Sequence, residues 1–328
     1  IEIRLRSDVP VGTCLSGGID SLTVATIAAK IYKLKETHQF QAITAVSETK
    51  DNDESPYAKT VAAASAIKWH TVKPSCEDFT EHLPTIVRIQ EEPFASPSIV
   101  MQYFVMETAK RENIPVLLDG QGGDETLLGY ERYYVAFLIY VFKKKGFFSA
   151  LTAFRKACKN NSKMSIVVLL KYILYFSSAR IRHWNYRTRN KYLLKIPKIP
   201  ATLLDSTKAM KDIIDLQKRE IVFDNLPALL RYEDKNSMSQ SIETRLPFLD
   251  YHCVEQALST PPEYKIYNGW TKYILRKFMS RKMPDSIVWR KNKLGFEAPN
   301  KLWISGISHE MKKQISSSNL IKSISDMN

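Results

Sequence analysis

Between residues 10 and 130, short apolar runs alternate with longer helical patterns, and no other feature of the 328 residues restricts the fold so tightly. The runs are Val11 to Leu15, Ala42 to Val46, Trp69 to Val72 and Val116 to Leu118, and the clearest helical pattern among them is Ser21 to Leu34. Alternation of this kind predicts an α/β fold, a parallel sheet with helices on both faces. With 44% of the residues hydrophobic, the chain can bury a sizeable core. No stretch reaches the roughly eighteen apolar residues of a membrane span. The longest candidate, Met164 to Phe176, is interrupted by Lys171. The opening IEIRLRSDVP is already charged and lacks the apolar stretch of a signal peptide. Cys14, Cys76, Cys158 and Cys253 show no CxxC spacing, which argues against a zinc ribbon or a disulfide framework and fits a reducing cytoplasm.

The formal net charge is +14, a value that invites a nucleic-acid or membrane-surface partner. Its distribution narrows the reading. No acidic residue lies between Glu131 and Asp205, a stretch holding sixteen lysines and arginines, so the remainder carries 32 basic against 34 acidic residues. The same stretch contains VAFLIYVF, MSIVVLLKYILYF and RIRHWNYRTRNKY, which predict two or three helices instead of a disordered tail. After about residue 225 the patterns read as helical again, at Leu226 to Tyr232, Val254 to Leu258 and Trp270 to Met279. The expected organisation is an α/β core over 1–131, a basic helical insertion over 132–224 and a helical part over 225–328 that completes the site.

Two glycine-rich loops carry the chemistry. Ser16-Gly17-Gly18-Ile19-Asp20-Ser21 follows the first strand pattern and opens an alanine-rich helix. Glycines let the backbone turn tightly around an anion, the first N–H groups of the helix point at it, and Ser16 and Ser21 offer hydroxyls. There is no lysine and no GxxxxGK[ST] pattern, so the loop is not a Walker A motif. An aspartate at the mouth of a phosphate site repels the ligand unless a cation intervenes, so Asp20 implies Mg²⁺. The second loop, Asp119-Gly120-Gln121-Gly122-Gly123-Asp124-Glu125, follows Val116 to Leu118 and leads into another helix. If the two strands are near neighbours, both loops border one crevice and Asp124 adds a second carboxylate for the metal.

These segments, with EEPFASPS, RYEDKNSMSQSIETRLPFLD and RKNKLGFEAP, resemble the ATP-pyrophosphatase (PP-loop) enzymes, and within them the synthetase domain of glutamine-hydrolysing asparagine synthetases. The resemblance implies an adenine nucleotide alpha hydrolase-like fold, ATP and Mg²⁺ as cofactors, and a two-step reaction. A carboxylate, most simply that of aspartate, is adenylated with release of pyrophosphate, and ammonia then displaces AMP to give an amide. It also implies roles by position: Lys293 at the transition states, Lys235 near the phosphates, Glu243 orienting groups or assisting proton transfer, and Leu15, Val46 and Ser47 against adenine. Ser16, Gly17, Gly18, Asp20, Ser21, Asp119 and Gly120 would hold the nucleotide, and Asp20 and Asp124 the metal.

Two departures limit the analogy. The family commonly has SGEGGDE where this chain reads DGQGGDE, so Gln121 replaces a glutamate, and an amide cannot accept the nucleophile's proton. Glu243 or water is then the expected substitute, or the nucleophile differs. The glutaminase domain that frees ammonia is also absent from these residues, which suggests a truncated chain using free ammonia. The alternative acceptor is another carboxylate such as a sugar acid; the alternative of another class is a tRNA-modifying PP-loop enzyme. No RNA-binding signature is present, so no nucleic-acid partner is expected, whereas membrane contact through 143–195 stays open.

Overall fold

The computed structural model describes residues 1–94, 96–161, 164–194, 198, 211–292 and 295–325. Five strands, β1 (Val11–Cys14), β2 (Gln41–Ala45), β3 (Lys68–Val72), β4 (Val116–Leu118) and β5 (Glu243–Arg245), form one parallel sheet in the order β3-β2-β1-β4-β5. The fold is α/β, with helices on both faces. Side chains alternate across each strand. Ala42, Val116 and Leu118 face a core built with Leu22, Ala25 and Ala28 of α1 (Ile19–Lys35) and Ala58 and Val61 of α2 (Ser55–Ala64). Ile43 and Leu117 point the other way, against Val105, Met106 and Ala109 of α4 (Ser98–Arg111). On that second face, α3 (Cys76–Gln90) and α4 pack with the buried Trp303.

The strand expected at each of the four sequence runs is present, but the carboxyl-terminal part is not helical throughout. Glu243–Arg245 pairs with β4 in the register Val116↔Glu243 and Leu118↔Arg245, and so adds an edge strand. After β4 the chain makes the single-turn helix α5 (Gly123–Thr126) and then α6 (Arg132–Asn160), which bends at Gly146, where φ is +78°. Next come α7 (Ile166–Ser177) and α8 (Ala179–Arg189). Buried residues of α6, such as Tyr133, Phe137 and Val141, share their own apolar cluster with Ile213 and Leu216.

Candidate active site

The sheet order reverses direction at β1, which has β2 on one side and β4 on the other. Helices after the flanking strands therefore lie on opposite faces, and a crevice opens at the carboxyl ends of β1 and β4. The two glycine-rich loops meet there. A Cβ on Gly120 would lie 2.7 Å from the backbone nitrogen of Ser21, so only glycine lets the second loop rest on the first. The resulting cleft, about 450 Å³, is lined by Leu15, Ser16, Gly18, Asp20 and Ser21 from the first loop and by Asp119, Gly120, Gln121 and Asp124 from the second. Gly17 and Ser47 line a smaller pocket that shares Ser16 and Glu54 with it. The first loop is shaped by its serines: the Ser16 and Ser21 hydroxyls lie 2.9 Å apart, and Gly18 N–H donates to Ser16 Oγ. The amino terminus of the 17-residue α1 is thereby held at the cleft.

Between the two aspartates lies a residue the sequence reading passed over. The Lys272 ammonium contacts Asp20 Oδ2 and lies 2.8 Å from Asp124 Oδ1, and the residue is 2% exposed. Burial works against its charge, but Asp124 and Asp20 outweigh that and raise its pKa above the ordinary lysine value. Its backbone is left-handed, φ +52°, a conformation that a non-glycine residue keeps only when its surroundings hold it. Gly129 makes room for it, since a Cβ there would lie 2.1 Å from Lys272 Cε. Arg276, one turn further on, and Arg290 extend the basic wall. Burial brings the Arg276 pKa down to about 10, while Arg290 is tied to the buried Glu54 and stacks 4.1 Å from the centre of the Tyr57 ring. The argument that Asp20 requires a metal therefore loses its force, because the protein supplies a cation of its own.

Behind the second loop, Asp119 accepts a bond from Gly120 N–H and lies against the Cys14 thiol and the 1%-exposed Glu233. Burial raises the Asp119 pKa to about 6. Burial, then the neighbouring Asp119, pushes Glu233 well above the usual carboxylate range, with the Thr244 hydroxyl as the polar group beside it. Two mostly buried carboxylates so placed each favour the protonated form.

Other expected residues are elsewhere. Glu243 is at the amino end of β5, level with Val116, while the cleft is at the carboxyl ends. Its side chain is 59% exposed and accepts from Arg245 Nε at 2.7 Å, and Arg245 in turn donates to the carbonyls of Arg4 and Arg6. The pair stitches the sheet edge to the first residues of the chain, which corrects the expected catalytic placement. Lys235 is likewise not at the cleft. Leu229 and Tyr232 of the helix Asn225–Ser239 line it, whereas the Lys235 ammonium, one turn beyond Tyr232, is engaged by Glu91. Val46 spends its N–H on the Val72 carbonyl and does not line the cleft. Lys293 lies outside the described residues, although its neighbours Gly295, Phe296 and Glu297 form part of the cleft wall.

A family model described as asparagine synthase matches residues 1–324. The chain belongs to the asparagine synthase family. Glutamine-hydrolysing asparagine synthetase 1 of Bacillus subtilis (strain 168) is 30% identical over 332 residues, covering 96% of this chain and 50% of that protein. Amidase chyE of Penicillium rubens is 24% identical, over 99% of this chain and 54% of its own length. This member of the asparagine synthase family thus spans about half the length of the curated relatives it matches. Among solved structures, the U34-tRNA thiolase NcsA from Methanococcus maripaludis with its [4Fe-4S] cluster is 16% identical and overlays at a TM-score of 0.30, over 73% of this chain and 74% of that one. A likeness that loose carries no functional weight.

Proposed function

We propose that the chain is the synthetase part of an ATP-dependent amide-forming ligase that acts on a small carboxylate, with aspartate the first candidate and a sugar acid the second. The observation that carries this reading is the convergence of two glycine-rich loops on one cleft at the switch point of the sheet, with two of its aspartates bridged by Lys272. Together with family membership, it supports binding of a nucleoside triphosphate, phosphates toward the α1 amino terminus. The carboxylate oxygen attacks the α-phosphorus, the bond to pyrophosphate breaks, and ammonia nitrogen attacks the resulting acyl carbon to expel AMP. Negative charge builds on the departing pyrophosphate, and fixed cations beside it stabilise that step. Lys272 is so placed, backed by Arg276 and Arg290.

Among the described residues no group of three or more metal-type side chains converges. The carboxylates of Asp20 and Asp124 are nonetheless hard oxygen donors of the kind Mg²⁺ takes, and phosphates and water would complete a coordination shell. They fit a Mg²⁺ that arrives with the nucleotide; once bound, it would neutralise phosphate charge. Gln121, lining the cleft, can orient the incoming nitrogen but cannot take its proton. Asp119 lines the same cleft with a pKa near 6, and is the group suited to accept that proton, with Glu233 behind it. The test is a pyrophosphate-release screen with aspartate and a panel of amino and sugar acids, using ammonium as nitrogen donor. AMP and pyrophosphate should appear together with one acceptor; ADP as the sole nucleotide product would sink the reading.

A further inference from the structure

Helix α7 is apolar on two faces. Val168 and Leu169 turn inward onto the cluster formed with α6, while Ile166, Val167, Leu170, Ile173 and Leu174 are between 41% and 71% exposed. Their spacing of three, four and seven residues makes a single outward stripe. Arg182 of α8 donates to the Tyr175 carbonyl of α7 and joins the two helices. The outward side of α8 presents Trp184, 68% exposed, with Arg180 and Arg187 about one turn to either side and also exposed. Both helices lie in the stretch with sixteen basic and no acidic residues.

We propose that this outward face of α7 and α8 docks onto the surface of an anionic phospholipid bilayer. The chemistry matches such a surface on three counts. Aliphatic side chains in a row gain by entering the acyl boundary, a tryptophan settles at headgroup depth, and arginines pair with lipid phosphates. Charge selects among other occupants: two copies of an acid-free basic face repel each other, and RNA gives a row of five aliphatics nothing to bury against. No described helix is long and apolar enough to cross a membrane, so the contact is one of lying on the surface.

The full chain is sedimented with vesicles of phosphatidylcholine alone and of phosphatidylcholine mixed with phosphatidylglycerol, at low and high salt. Binding is expected to the mixed vesicles only and to weaken with salt. The variant Arg180→Gln/Arg187→Gln should bind about fivefold more weakly per arginine removed. Leu170→Ser/Leu174→Ser should lose binding while keeping its far-ultraviolet dichroism and melting temperature, since both side chains already face solvent. Failure of the wild type to pellet with the mixed vesicles, equal pelleting with neutral ones, or variants that pellet like the wild type would overturn the proposal. So would an RNA shift or a dimer that consumes the same arginines and leaves vesicles unbound.

Discussion

Lys272 is held by two carboxylates in a nearly solvent-free site, so its removal takes from Asp20 and Asp124 the counter-charge they share. Breaking a buried pair from one side costs about 3–5 kcal/mol. Lys272→Ala should therefore lower the urea midpoint by a corresponding amount and abolish pyrophosphate release. Adding Asp124→Asn should restore part of the stability but none of the activity. Asp119 and Glu233 make a separate prediction about pH. Their folded-state pKa values are raised, so the stability they contribute is complete below the unfolded values near 4 and is lost as pH rises through about 6 for Asp119. Glu233→Gln fixes the neutral form; it should raise the melting temperature at pH 8, leave it unchanged at pH 4, and flatten the slope between. An unchanged slope would mean that Glu233 is not held protonated in the folded state.

At the level of elements, four of the five strands and α1 are legible in the sequence to within a residue or two because each is an apolar run or an amphipathic stretch of ordinary length. β5 is not. Its three residues are Glu243, Thr244 and Arg245, which carry no apolar alternation, and the strand exists only because β4, more than 120 residues earlier, offers a free edge. A tertiary partner overrides local propensity here. The misplacement of Glu243 follows directly, since without the register nothing indicates which end of the sheet it occupies. Lys235 fails for a related reason: a motif gives the residue but not its ion-pair partner Glu91, 144 positions away in the sequence. Lys235→Ala and Glu243→Gln should leave pyrophosphate release within about twofold of wild type and stability within about 0.5 kcal/mol. Asp20→Ala and Asp124→Ala should remove turnover in the same assay. Lys272, which bridges two aspartates of the cleft, gives no signal in the sequence because a lysine before YILR reads as the solvated edge of a helix. Its left-handed backbone and its two partners become visible only in three dimensions.

Across the whole molecule, charge and chemistry are segregated. The acid-free stretch supplies the net positive charge, while the loops after β1 and β4, close to the near-neutral remainder, supply the cleft. Cys14, at the end of β1, has its thiol against Asp119 and its pKa raised well above normal by burial, which makes it a poor nucleophile for freeing ammonia from glutamine. Ammonium should accordingly support amide formation by these 328 residues and glutamine should not, as measured by product formation with each nitrogen source. The interlock of Asp20, Asp124 and Lys272 also bears on how the catalytic cycle would turn over. An incoming triphosphate has to draw the ammonium away from its carboxylates, an exchange of partners whose balance depends on how many phosphate charges the visitor brings. On the proposed reaction, a triphosphate would compete with the aspartates for that ammonium more strongly than the AMP left after pyrophosphate departs. Release of the spent nucleotide would then be coupled to the return of Lys272 to Asp20 and Asp124.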